Sequence, residues 1–204
     1  MSERVITGIF GGSFNPIHTG HTAFAQGLVT AGVVDEMWLV VSPRNPLKGD
    51  DVLWDDELRL RLARVALADV EGVEVSDVEF TLPRPSYMIT TLRTLEERYP
   101  EREFVLVIGQ DNWDCFHSWY HWEEILEKYR VIVIPRNGEG GHSESNTALM
   151  QVVNGELEPM AEKNVRLIDM SSTWIRSQIE NNPDYDGQGL HPGVWKIIRS
   201  LRQI

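Results

Sequence analysis

Short, continuously apolar runs recur along this chain, each set off from the next by a turn signal and a helical pattern, and they limit its fold more than any other feature. Met37-Trp38-Leu39-Val40-Val41, Phe104-Val105-Leu106-Val107-Ile108 and Val131-Ile132-Val133-Ile134 lack the polar alternation of a strand with one wet face. A run that is apolar on both sides of its pleat belongs inside a parallel sheet covered on both faces. Val5-Ile6 and Val165-Arg166-Leu167-Ile168 are expected as the first and last strands, and an alternation from Val73 to Phe80 as another. Between the runs, Phe24, Leu28 and Ala31 fall at helical spacing before Gly32, and Leu58, Leu62 and Val65 share one face of a helix from Asp55 to Ala68. That helix is read as scaffold, with Asp55–Arg59 and Glu57–Arg61 as i,i+4 pairs of favourable order. Ser86 is expected to cap a helix carrying Met88, Leu92 and Leu95 that stops at Pro100, and Pro192 to open a final helix with Val194, Ile197, Ile198 and Leu201 on its apolar face. The fold class is therefore α/β, a doubly wound, mostly parallel sheet with helices on both faces.

With 204 residues the chain fits one domain spanning 1–204. A single cysteine, Cys115, excludes an internal disulfide framework and suits a reducing compartment. The first residues lack the apolar core of a signal peptide and no run reaches membrane-spanning length, so a cytoplasmic protein without a membrane partner is expected. The formal net charge of −12 argues against non-specific binding to nucleic acid or an anionic membrane. A polyanionic ligand has to meet a local positive patch, for which Arg44, Lys48, Arg84, Arg136 and Arg176 are the candidates near turns. Residues 137–146, rich in Gly, Ser, Glu and Asn, read as a mobile surface loop, and 148–163 fit neither period cleanly.

Gly8-Ile9-Phe10-Gly11-Gly12-Ser13-Phe14-Asn15-Pro16-Ile17-His18-Thr19-Gly20-His21 joins the first strand to a helix start. The glycines Gly8, Gly11 and Gly12 let backbone approach a ligand closely, and a helix N-terminus offers N–H groups and partial positive charge to an anion. Neither the P-loop pattern nor the dinucleotide fingerprint fits. Instead His18 and His21 stand three apart around the helix start, where both rings can face one anion.

Other candidates follow later strands, where open α/β sheets place their ligand loops. Lys48 lies in the proline-stiffened stretch from Ser42 to Gly49. Gly109-Gln110-Asp111 follows the clearest strand, and its carboxylate can accept from both hydroxyls of a ribose. Ser171, Ser172 and Arg176 supply hydroxyls and a guanidinium at a second helix start, another anion-binding design. Cys115, His117 and His121 have metal-ligand spacing only in part, without a clear fourth ligand, so no protein-held metal is expected.

His18-Thr19-Gly20-His21 resembles the His-x-Gly-His signature of the nucleotidyltransferases, and the longer string from Gly11 is similar to the nicotinate mononucleotide adenylyltransferase family. Ser86-Tyr87-Met88-Ile89-Thr90-Thr91-Leu92, Gly109-Gln110-Asp111, the Trp119-x-x-Trp122-Glu123 pattern and Met170-Ser171-Ser172-Thr173-Trp174-Ile175-Arg176 resemble further family motifs in the same order. Three departures are Leu47, where histidine is common before the lysine, Met88, where threonine is usual, and Met170, in place of the first isoleucine of the last motif. The resemblance implies a Rossmann-like fold and adenylyl transfer from ATP to nicotinate mononucleotide, giving the dinucleotide and pyrophosphate in NAD biosynthesis. His18 and His21 would be catalytic. Gly11, Gly12, Ser13, Lys48, Gly109, Asp111, Ser171, Ser172 and Arg176 would hold ATP, and Tyr87, Met88, Trp119, Tyr120 and Arg136 the mononucleotide. Mg²⁺ would be held mainly by the ATP phosphates. Nicotinamide mononucleotide or phosphopantetheine as acceptor, a non-catalytic adenine-nucleotide sensor, and a homo-oligomeric state stay open.

Overall fold

The computed structural model describes residues 4–43, 53–135, 144–168 and 170–201. Strands β1 (Val5–Gly12), β2 (Glu36–Val41), β3 (Val73–Ser76), β4 (Arg102–Gly109) and β5 (Arg130–Ile134) pair in parallel, and β6 (Glu144–Val153) and β7 (Glu156–Ile168) extend the sheet antiparallel. Their order is β3-β2-β1-β4-β5-β6-β7. The helices are α1 (Thr19–Thr30), α2 (Asp56–Leu67), α3 (Met88–Arg98), α4 (Gln110–Asp114), α5 (Trp122–Lys128), α6 (Ser172–Asn181) and α7 (Pro192–Leu201). This is the expected Rossmann-like α/β arrangement. Among the described residues, no helix is long and apolar enough to cross a membrane.

The continuous apolar runs behave as their composition requires, because alternate residues of each strand enter different cores. Met37, Leu39, Val41, Val105, Val107 and Ile132 join the residues of α1, α2, α6 and α7 on one face. Trp38, Val40, Leu106, Ile108, Val131 and Val133 join those of α3 and α5 on the other. Each fully buried side chain of this size contributes about 1.5–3 kcal/mol relative to an exposed one, so both faces have to be covered. The strand order reverses between β1 and β4, which makes the crevice beyond their carboxyl ends the expected ligand position.

Four local expectations are corrected. The alternation after Val73 stops at Ser76, where the pairing with Val40 ends, and a 3-10 turn over Val78–Thr81 follows that buries Val78 and Glu79. Tyr87, not Ser86, precedes α3: the Ser86 hydroxyl makes no cap and is buried without a hydrogen-bond partner among the described residues, while Thr91 on the first turn donates to the buried Glu79 at 2.8 Å. Arg59 is no surface partner of Asp55: it is fully buried and pairs with Asp56, while Asp55 caps α2 by accepting from the Leu58 N–H at 3.1 Å. Lastly, 148–163 belong to a hairpin, and the loop read over 137–146 ends early, with β6 starting at Glu144; residues 137–143 lie outside the described residues. The hairpin turns at Asn154 and Gly155, with φ of 51° and 84°. Two consecutive positive φ values are what a tight hairpin needs, and Asn-Gly supplies them at least cost.

Candidate functional site

The loop leaving β1 is held by bonds from distant parts of the chain. Asn15 is buried; its Oδ1 accepts from the Trp54 N–H at 3.1 Å and its carbonyl from Arg176 Nη1 at 2.7 Å. Ser172 Oγ donates to the Pro16 carbonyl at 2.9 Å, and the Thr19 N–H donates to the Gly189 carbonyl at 2.8 Å. Phe14 stands at φ 44°, a left-handed backbone that costs a residue with a side chain about 1–3 kcal/mol and persists only where surroundings enforce it. Its ring folds back over Gly12, where an added Cβ would meet it at 3.0 Å, so Gly12 is needed for this packing.

His18 and His21 come together as the sequence suggests. Their rings stack with centroids 3.6 Å apart and planes 23° from parallel. The His18 N–H donates to His21 Nδ1 at 3.2 Å, so a neutral His21 carries its proton on Nε2 and can donate from there. His18 is buried, and its Nδ1 has no hydrogen-bond partner among the described residues. Burial first, and then the neighbouring His21, hold the His18 imidazole well below its ordinary pKa, so it stays neutral at pH 7. Gly20 is required between them: a Cβ there would lie 2.8 Å from the Ile168 carbonyl and 3.0 Å from His18 Nδ1. One expectation changes. The helix start does not present all its amides to an anion, because Thr19 gives its N–H to Gly189 and both His21 and Thr22 give theirs to the His18 carbonyl.

Across the reversal in strand order, Gly109 ends β4 and Asp111 sits exposed in the first turn of α4. An added Cβ on Gly109 would meet nothing within 4 Å, so internal packing does not demand glycine there. Tyr87 and Tyr120 meet with centroids 4.7 Å apart, and the half-buried Trp119 packs on Phe116 at 5.1 Å. The Trp119 indole N–H and the Ser86 hydroxyl are buried without hydrogen-bond partners among the described residues. Met88 reaches the glycine loop: a Cβ on Gly11 would come 2.6 Å from its methyl carbon, so the predicted acceptor and phosphate sets share a wall.

At the second helix start the hydroxyls already have work within the protein. Ser171 caps α6 by accepting from the Trp174 N–H, and Arg176 also donates to Thr173 Oγ1 at 3.2 Å. Arg84 is an exposed partner of Asp56 at 3.1 Å. Arg44, Lys48, Arg136 and the rest of 44–52 lie outside the described residues. Among the described residues, no group of three or more His, Cys, Asp or Glu side chains gathers to hold a metal ion.

Two buried ionisable residues that no motif marks, Glu79 and Arg59, flank the site. Glu79 receives hydrogen bonds from Thr91 and Ser42, and burial outweighs these to raise its carboxyl above the ordinary value. Arg59 donates to the carbonyls of Ser13, Ser42, Pro43 and Trp54. Its position carried a signal: Arg59, Leu62, Ala63, Ala66 and Leu67 are all buried and follow the spacing of an inward helix face.

The cytidylyltransferase-like family model matches residues 9–178. A probable nicotinate-nucleotide adenylyltransferase of Bacteroides thetaiotaomicron is 43% identical over 203 residues, which span 99% of this chain and 95% of that protein. Another from Bacteroides fragilis is 44% identical over 197 residues, 94% of this chain and 90% of its own length. A solved Plasmodium falciparum nicotinic acid mononucleotide adenylyltransferase, complexed with NaAD, shares the fold with a TM-score of 0.66 at 16% identity, covering 97% of this chain and 96% of that one.

Proposed function

The chain belongs to the cytidylyltransferase-like family, and from that premise we infer that it is a nicotinate-nucleotide adenylyltransferase acting in NAD biosynthesis. The reaction joins ATP and nicotinate mononucleotide: a phosphate oxygen of the mononucleotide attacks the α-phosphorus of ATP, the bond from that phosphorus to the bridging oxygen breaks, and pyrophosphate leaves. The observation that carries this reading is the stacked His18–His21 pair beside the β1–β4 reversal, with His21 Nδ1 already engaged.

The attacking oxygen is anionic at neutral pH, so no strong base is needed. The task is to orient two anions and to neutralise charge as it develops. His21 would donate from Nε2 to a phosphate oxygen, and its orientation is set beforehand by the His18 N–H. Arg176, pinned to the Asn15 carbonyl, would place fixed positive charge beside the same loop. Lys48 and Arg136 belong to the proposal as further phosphate and acceptor contacts. Asp111 would take the ATP ribose, while Tyr87, Met88, Tyr120 and Trp119 would form the wall against the pyridine ring. Mg²⁺ would enter on the triphosphate and stabilise the leaving pyrophosphate, because this ion is usually bound through substrate phosphates with few protein ligands. A cytosolic site of action is part of the same reading.

The test is pyrophosphate release from ATP with nicotinate mononucleotide, nicotinamide mononucleotide and phosphopantetheine as rival acceptors. Fastest turnover with nicotinate mononucleotide is expected. A preference for either rival would overturn the acceptor assignment, and tight ATP binding without turnover would overturn the enzyme.

A further inference from the structure

Arg59 has a side chain with no solvent exposure, inside a core built from aliphatic residues of α2 and its neighbours. A guanidinium has five N–H donors in a rigid plane. All five have acceptors here: Nε the Trp54 carbonyl at 3.0 Å, Nη1 the carbonyls of Ser13 and of Ser42 (2.9 Å), and Nη2 the Pro43 carbonyl at 2.9 Å and Asp56 Oδ1 at 2.6 Å. One planar group thus grips the loop leaving β1, the end of β2 and the entry to α2.

We propose that Arg59 is a positioning residue for adenylyl transfer: by holding the Ser13, Ser42 and Pro43 carbonyls in one fork, it locks the loop after β1 against the end of β2 and sets the aim of His21. The route is short. In a planar trans peptide the N–H points opposite the C=O, so turning the Ser13 carbonyl inward turns the Phe14 N–H outward. The same peptide leads into Phe14 at φ 44°, a conformation that needs enforcement. The Phe14 ring then meets His21 edge to face, with centroids 5.0 Å apart. Asn15, the next residue, is tied to Trp54, whose carbonyl Arg59 also holds.

The proposal rests on the adenylyl-transfer reading, which the acceptor panel tests on the unaltered chain, so failure of one is separable from failure of the other. Arg59→Lys keeps the charge but has three donors on one nitrogen and cannot span these acceptors. Per folded molecule, counted by near-ultraviolet circular dichroism, its kcat should fall at least about tenfold while the KM for the mononucleotide stays within about twofold. In a His21→Ala background the same change should cost less than about twofold, since a group acting through His21 has nothing left to aim. A kcat within about twofold of the unaltered enzyme, or an equal fold-loss in both backgrounds, overturns the proposal and leaves Arg59 as a folding residue. Should Arg59→Lys not fold, Asp56→Asn, which removes the charged partner of Arg59 Nη2 and so loosens the fork itself, decides the question. A loss of about threefold or more in kcat that vanishes with His21→Ala supports the proposal; no loss, or the same loss in both backgrounds, overturns it.

Discussion

The two sides of the crevice are built differently. The loop from Ser13 to His21 is fastened by bonds that arrive from Trp54, Arg59, Ser172, Arg176 and Gly189, far away in the chain. In the stretch from Gly109 to Tyr120 the side-chain hydrogen bonds among the described residues are local, Gln110 to Asp114, Cys115 to the Asp111 carbonyl and Ser118 to the Cys115 carbonyl, while ring packing of Phe116 in the core and of Tyr120 on Tyr87 ties it to the rest of the fold. Asp111 and Tyr120 stand exposed there, and Gly109 faces open space. Groups that stabilise developing charge gain from being fixed beforehand, since reorganisation during reaction is what such a site avoids. Groups that receive and release substrate tolerate a looser frame. Chemistry is therefore expected on the braced side and substrate selection on the open one.

The largest test of that division is His21→Ala. Loss of its Nε2 donor should lower kcat by on the order of 10²-fold or more, as for one oxyanion donor. Steady-state turnover near that of the unaltered enzyme would remove chemistry from the braced side.

Next comes a pair of glycine substitutions. Gly20→Ala drives a methyl against the Ile168 carbonyl, a backbone atom that cannot swing aside, and should destabilise the protein by about 1–3 kcal/mol. Gly109→Ala meets nothing, in an extended backbone at φ −79° that alanine accepts. It should leave the stability within about 0.5 kcal/mol of the starting value, with any kinetic effect on the nucleotide KM. Equal shifts in urea midpoint for the two would erase the contrast.

The third test divides the open side. Nicotinate joined to ribose carries positive charge on its ring nitrogen, and an indole face attracts it by about 0.5–2 kcal/mol. Trp119→Ala should raise the KM for the mononucleotide roughly tenfold and leave that for ATP nearly unchanged. Asp111→Ala should do the reverse. Should Trp119→Ala weaken both substrates equally, the ring belongs with Phe116 in the core and the acceptor lies elsewhere.

The smallest effect is in pH. In the unfolded chain His18 titrates near its ordinary value of about 6.5, whereas in the folded protein it protonates only at lower pH. Between the two values the unfolded state binds more protons, so stability rises with pH there and declines as pH falls below about 6.5. Melting curves of the ligand-free protein should show a steeper loss from pH 7 to pH 5 than those of His18→Asn, in which a good capping residue replaces the imidazole. Parallel curves would mean that His18 is no more buried in solution than an ordinary surface histidine.

Much of the fold was legible because its signals are local. Met37–Val41 and Phe104–Ile108 are apolar at every position, and only a strand covered on both faces satisfies that. Asn154-Gly155 is a local hairpin signal as well, but the segments that flank it fit neither period cleanly, so the pairing shows only in the folded chain. The motif residues were legible for the same reason: His18 and His21 stand at a spacing that places both rings together on any helix start.

What the sequence by itself determined, then, is the sheet, the covering helices and the meeting of His18 with His21, because periodicity and turn chemistry act between near neighbours. Tertiary structure alone decided how those residues are held. Ser86 buries its hydroxyl without capping α3, Thr91 pairs with the remote Glu79, and the first amide of α1 goes to Gly189 instead of to an anion. By sequence Arg59 is one half of an i,i+4 pair with Asp55; folding instead brings four carbonyls within reach of its fork. A buried charge is tolerable only where partners converge on it, and convergence from remote segments is a property of the folded chain that no local pattern encodes.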